Sequence, residues 1–201
     1  QGKLDQINQL IKECRIYGTL PFSILARHGF IGVTLLNSIK ELKILKKEEV
    51  NLFVKNIKTI ATDMVVDFNH IKKNKDKKKR FLIKYGHLRP GTYDIMSKSY
   101  DEKSYFQNNT KINILKKNNN LKLNSTQIKL IDKLLADHGF KKINYQQLFE
   151  YIHDAIVARE YSKFIFTKNV SNILKVLIKY GNKNSINRSI LSFLNIENFL
   201  K

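Results

Sequence analysis

Apolar residues return every three or four positions through almost the whole of this sequence, and no alternating pattern persists beyond a few residues. A chain patterned in this way buries its apolar side chains as stripes on helices, so the fold class it permits is all-α. Residues 3–14 carry one such stripe, Leu4, Ile7, Leu10 and Ile11. A helix is expected over 20–45, with Thr19 as N-cap and Pro21 in the first turn, where a missing N–H costs little. Being apolar on most sides, it is expected at the centre of the core. A third helix is expected from about 47 to 71, with Glu48 and Glu49 at its positive end, and a short one near 77–85.

Asn124 and Gln127 form a capping-box pair that opens a helix running to about 137, where HGF ends it. A long apolar pattern over 144–180 stops at Gly181, and SILSFLNIENFL closes the chain. The expected architecture is an irregular helical bundle with a long polar loop at about 86–105. Two packed helical halves, 3–106 and 123–201, would be joined by an irregular linker at 107–120.

With 201 residues the chain can bury a sizeable core without disulfides or a structural metal. Its single cysteine, Cys14, has no internal partner, which fits a reducing, cytoplasmic compartment. No apolar run approaches the ~20 residues that span a bilayer, so no membrane partner is expected. Gln1 and Gly2, with no methionine before them, look like the remnant of a cleaved tag, and the rest is expected to be a piece of a longer protein. The formal net charge of +20 raises nucleic acid as a partner. Lysines are spread throughout, however, and the densest run, KKNKDKKKR at 72–80, lacks interleaved aromatics for base stacking. A solvated helix end or linker is favoured there over an anionic partner, and nucleic acid is disfavoured.

No Gly-rich phosphate loop, paired metal-ligand spacing or nucleophile elbow occurs, and the five histidines, 28, 70, 87, 138 and 153, are scattered. Two constellations remain. Ser23, Arg27, Thr34 and Ser38 share one helical face, and Arg27 among apolar neighbours calls for a partner, either an internal carboxylate such as Asp94 or Glu160 or a ligand. The stretch YGHLRPGTYDI and the residues after it crowd His87, Arg89, Thr92, Tyr93, Asp94, Tyr100, Asp101 and Glu102 into one break. Arginine suits a carboxylate and aspartate or glutamate an ammonium, so such a loop matches an amino acid. The alternative is a capped turn whose charges pair with one another. Arg159 and Glu160, in AREY, are expected to pair structurally.

Three stretches, CRIYGTLPFSILARHGF (14–30), YGHLRPGTYDIMSKSYDE (85–102) and AREYSKFIFTKNVSNIL (158–174), together resemble the central region of phosphoenolpyruvate-synthase-like, or pyruvate phosphate dikinase-like, kinases. The resemblance is closest to the L-glutamine kinases among them, which serve capsular phosphoramidate biosynthesis. It implies a central helical domain of a cytoplasmic phosphotransferase that phosphorylates the side-chain amide nitrogen of L-glutamine. ATP and Mg2+ would be bound by an ATP-grasp domain absent here, and the phosphoryl group carried by a phosphohistidine on another domain, with AMP and phosphate as further products. No cofactor is expected in this domain, which should be inactive alone. The implied partners are L-glutamine or a related amino acid and those two domains of the same polypeptide.

The expected catalytic residues are Asp94, Asp101 and His87, the last distinct from the phosphocarrier. The expected substrate-binding residues are Arg15, Thr19, Arg27, Arg89, Thr92, Tyr93, Tyr100 and Glu102. Arg89 would hold a carboxylate or phosphoryl group, while Asp94 or Asp101 would accept a proton or bind the ammonium. The alternatives are a structural hinge that docks the neighbouring domains, and a basic nucleic-acid-binding module.

Overall fold

The computed structural model describes residues 2–71, 75–102 and 120–195, with side chains from residue 5 onward. Residues 107–119 of the expected linker at 107–120, the loop end at 103–105, Gln1 of the tag pair, part of the lysine run at 72–74 and the closing 196–201 lie outside the described residues. The fold is all-α, with no strand among the described residues. Helices run as α1 Gly2–Glu13, α2 Leu20–Glu41, α3 Lys47–Asn56, α4 Ile60–His70, α5 Lys75–Tyr85, α6 Ser125–Asp137, α7 Tyr145–Lys183 and α8 Arg188–Ser192.

Thr19 does not open a new helix. Cys14–Thr19 is a π-helical segment that carries α1 directly into α2, and Leu20 N–H donates to the Arg15 carbonyl five residues back. The widened turn accommodates Pro21, which has no N–H to give, so the helix continues where a start was expected. Within the continuous helix Asp5–Glu41, the most apolar stretch reaches a mean hydropathy of 1.3, long and apolar enough to cross a membrane by length and composition, although the sequence reading found no run of that kind. Nor is α2 central in the core. Only Gly29, Gly32, Leu36 and Ile39 are buried, while Leu20, Ile24, Phe30 and Ile31 are exposed.

The expected helix 47–71 is two helices. Ile57 is extended (φ −68°, ψ 115°) and buried, and Thr59 restarts the chain by offering its carbonyl to Asp63 N–H. Glu49 caps α3, its carboxylate accepting Lys46 N–H at 2.7 Å and Gln127 Nε2 at 3.1 Å. Those bonds, the Lys46 one first, hold Glu49 below the usual carboxylate value. The capping box of α6 forms as expected: Gln127 N–H donates to Asn124 Oδ1 at 2.9 Å and Asn124 N–H to Gln127 Oε1 at 3.0 Å. Gly139, at φ +90°, then ends the helix in the left-handed region. Asn144 and Gln147 repeat the same box at the start of α7, and α7 runs two residues past Gly181.

The chain divides into two units that are not the sequential halves 3–106 and 123–201. One comprises Gln1–Phe22, Met64–Ile112 and Ser162–Lys201, and the other Ser23–Asp63 and Asn113–Tyr161. In the second, Leu36, Ile39, Leu45, Val50, Ile131, Leu148 and Ile152 share one core. Gly32 lets α2 come close to α7 there, since a Cβ on it would lie 3.4 Å from the Ile152 Cα. Arg159 and Glu160 pair as expected, Nη2 to Oε1 at 2.7 Å. In the first unit Ile7, Ile95, Leu177, Ile178 and Leu191 form the core. Ile95 comes from the polar loop, so the loop is pinned to the interior by an apolar side chain.

Candidate functional site

The loop that follows α5 closes on itself before it meets anything else. Tyr100 N–H donates to the Leu88 carbonyl at 2.8 Å and Asp101 N–H to the Gly86 carbonyl at 3.1 Å, tying the two ends together. Between them a turn forms at 91–94, with Asp94 N–H donating to the Gly91 carbonyl at 3.1 Å, and Asp94 Oδ1 accepts Met96 N–H at 2.8 Å. Alternate residues then face opposite ways. Arg89, Ile95 and Ser99 are buried, while Pro90, Tyr93, Asp94, Met96 and Lys98 are exposed.

The inward set is committed to protein partners. Arg89 is 6% exposed; its Nη1 donates to the Ser97 carbonyl at 3.0 Å and its Nη2 to Ser171 Oγ at 2.9 Å. Its Nε finds no partner among the described residues. Burial pushes the guanidinium below its ordinary pKa against the attraction of Glu102. Ser99, fully buried, places its hydroxyl 2.6 Å from Asp101 Oδ1 and 2.8 Å from Glu102 Oε2, and its N–H also donates to Glu102 Oε2. Asp101 in turn pairs with Lys175 of α7, and Glu102 with Arg188 of α8. Burial alone would raise Glu102, but the Ser99 bonds and Arg188 outweigh it and bring the carboxyl down to about 2.

His87 lies against Phe164 of α7, its Nε2–H donating to the Phe164 carbonyl at 3.1 Å and its ring 4.9 Å from the phenyl centroid. Burial pushes this imidazole down to about 4, so it is neutral at physiological pH. Beside it Tyr85, completely buried, gives its hydroxyl proton to Asp67 Oδ2 at 2.8 Å.

The other expected residues separate by location. Thr92 and Tyr100 are half-buried in the loop, and Tyr93 is exposed. Arg15 is exposed, and Thr19 donates its hydroxyl to the Cys14 carbonyl at 3.2 Å inside the π-helical segment. Arg27 belongs to the other unit, is exposed, and makes no ion pair with Glu160 of that unit, which pairs with Arg159 instead. The partners that sequence reasoning missed, Phe164, Ser171, Lys175 and Arg188, all come from α7 and α8. Their signal in the sequence is faint: two cations on late helices in a chain where cations are everywhere.

Tyr93 and Asp94 also line a groove of about 400 Å3 with Ile11, Val170, Ile173, Leu177 and Leu191. None of the described residues lining it carries a positive charge. No group of three or more metal-ligating side chains occurs among the described residues. Within this unit, parts of the three stretches that carry the resemblance meet on α7. A Cβ on Gly18 would touch Phe166 Cβ at 2.8 Å, and Phe22 packs on Phe166 at 5.0 Å between centroids. His87 and Arg89 reach Phe164 and Ser171, less than two turns apart on the same helix. Comparison with protein-family models, curated proteins and solved structures finds no match.

Proposed function

We propose that this chain is a non-catalytic central domain of a larger phosphotransferase of the phosphoenolpyruvate-synthase-like type, and that its polar loop docks a neighbouring domain. One observation carries this: the charged groups Arg89, Asp101 and Glu102 bond to protein groups of the same unit, which holds the loop rigid and turns a different set outward. That outward set, Pro90, Tyr93, Asp94, Met96 and Lys98, has the composition of an interface core, with an aromatic and a methionine, 66% and 51% exposed, beside charge. A loop that need not rearrange on contact loses little entropy in docking.

A second role, recognition of the acceptor amino acid, is favoured by Asp94 alone. Its Oδ1 takes Met96 N–H, and its carboxylate stands at the groove where an ammonium would be attracted. Arg89 is turned inward, so a carboxylate on the same ligand would depend on a cation from elsewhere.

Calorimetry and half-reaction assays separate the two. A docking loop gives no heat with L-glutamine, L-asparagine or L-glutamate, and Tyr93→Ala with Met96→Ala in the longer enzyme then impairs phosphohistidine formation as well as transfer. An acceptor site gives heat with L-glutamine that Asp94→Asn abolishes, and spares phosphohistidine formation. Loss of neither half reaction in the Tyr93, Met96 variant would overturn docking.

A further inference from the structure

From Lys75 onward, the lysine-rich run that the sequence offers as a solvated helix end or linker belongs to α5. Lys77, Arg80 and Lys84 are spaced three and four apart, so they lie along one face of α5. With Phe81 of the same helix and Asp67 and His70 of α4, they line a cavity of about 400 Å3. All six residues belong to one unit.

The described residues that line this cavity are mostly basic. The one carboxylate among them, Asp67, is already engaged by the Lys84 ammonium at 3.3 Å and by the Tyr85 hydroxyl at 2.8 Å. That contact and the Tyr85 ring, 4.9 Å from the ammonium, orient Lys84. Arg80 makes no hydrogen bond or ion pair among the described residues, and neither does His70. Among the described lining residues, Lys77, Arg80 and Lys84 therefore stand with a single carboxylate. The opposite side of α5 is also basic, with Lys75, Lys78 and Lys79, but there the cations stand beside Leu82 and Ile83 with neither an arginine nor a histidine.

We propose that this cavity binds a compact anion of two or three linked phosphates, either inorganic or as the phosphate chain of a nucleotide. An arginine fork matches two oxygens of one phosphate, and lysines serve the next as point charges. Lys77 and Lys84 are separated by about 10 Å along the helix axis, a span that a phosphate chain bridges better than a single phosphate. The site is distinct from the docking loop, and its success or failure leaves that reading untouched.

Calorimetry of the 201-residue chain with inorganic triphosphate at 0.15 M salt tests it, with ATP and a single-stranded DNA oligonucleotide as further arms. The expected result is one triphosphate site, weakened about tenfold or more in a Lys77→Ala, Arg80→Ala double variant. A Lys75→Ala, Lys79→Ala variant removes the same charge from the other side of the helix and should weaken it less than about threefold, because exposed charges at a distance are screened. ATP matching or exceeding triphosphate identifies the nucleotide as the source, and ATP binding more weakly identifies the inorganic chain. Equal weakening by both double variants, or binding of the oligonucleotide alone, would overturn the proposal in favour of a diffuse basic surface. All the substituted side chains are on the outside of α5, so circular dichroism should show both variants folded.

Discussion

His87 makes the stability of this protein depend on pH in a window that can be worked out in advance. In the unfolded chain its imidazole titrates near 6.5, and in the folded protein near 4, because burial disfavours the cation. Above pH 6.5 both states are neutral and the full contribution is present. As pH falls through 6.5, the unfolded chain takes up a proton that the folded one refuses until about pH 4, so stability is lost over that interval. At 1.36 kcal/mol per unit, the loss attributable to this one side chain is about 3 kcal/mol. His87→Gln removes the titration and keeps an N–H donor within reach of the Phe164 carbonyl. Urea unfolding of both proteins at pH 7.5, 6.5, 5.5 and 4.5 should give curves that converge as pH falls, the wild type losing about 3 kcal/mol more than the variant. The carboxylates and the other four histidines are common to both and cancel. Parallel curves would mean that His87 takes up its proton equally readily in the folded and unfolded chain, so that burial does not disfavour its cation.

Two further substitutions separate inward from outward residues. Arg89→Lys keeps the charge, but one ammonium cannot span both the Ser97 carbonyl and the Ser171 hydroxyl; it should cost about 2 kcal/mol by chemical denaturation, and a neutral result would remove the clamp from the account. Arg27→Met should change stability by less than about 0.5 kcal/mol, because Arg27 is exposed and strands no buried partner when removed; a loss above 2 kcal/mol would show that it is paired after all.

The parts of this fold that were legible in the sequence are those decided within one turn of chain. The box of Asn124 and Gln127, the stop at Gly139 and the pairing of Arg159 with Glu160 depend on neighbours three residues apart or fewer, and all appear as read. What failed depends on distant chain. Apolar composition put α2 in the core, but burial follows the few positions where another helix comes close, and glycines mark that stripe better than leucines do. The break at Ile57 escaped notice because a buried β-branched residue fits a strand-like kink and a helix equally well by periodicity. At the loop, the crowding of polar groups was a sound signal and its meaning was ambiguous. Arg89 was expected to await a ligand and instead faces Ser171, 82 residues away.

The order in which the two units use the chain carries a consequence for how the protein can be cut and made. Each unit needs residues from before and after the other, and α7 is divided between them at Tyr161 and Ser162. A protease nick or a gene split in the 107–119 region would therefore yield two fragments, neither holding a whole unit, and complementation in trans would be the only route back to the fold. During synthesis neither unit can close until α7 has emerged, so the first hundred residues wait with apolar surface uncovered, the condition under which chaperone dependence and slow maturation are expected.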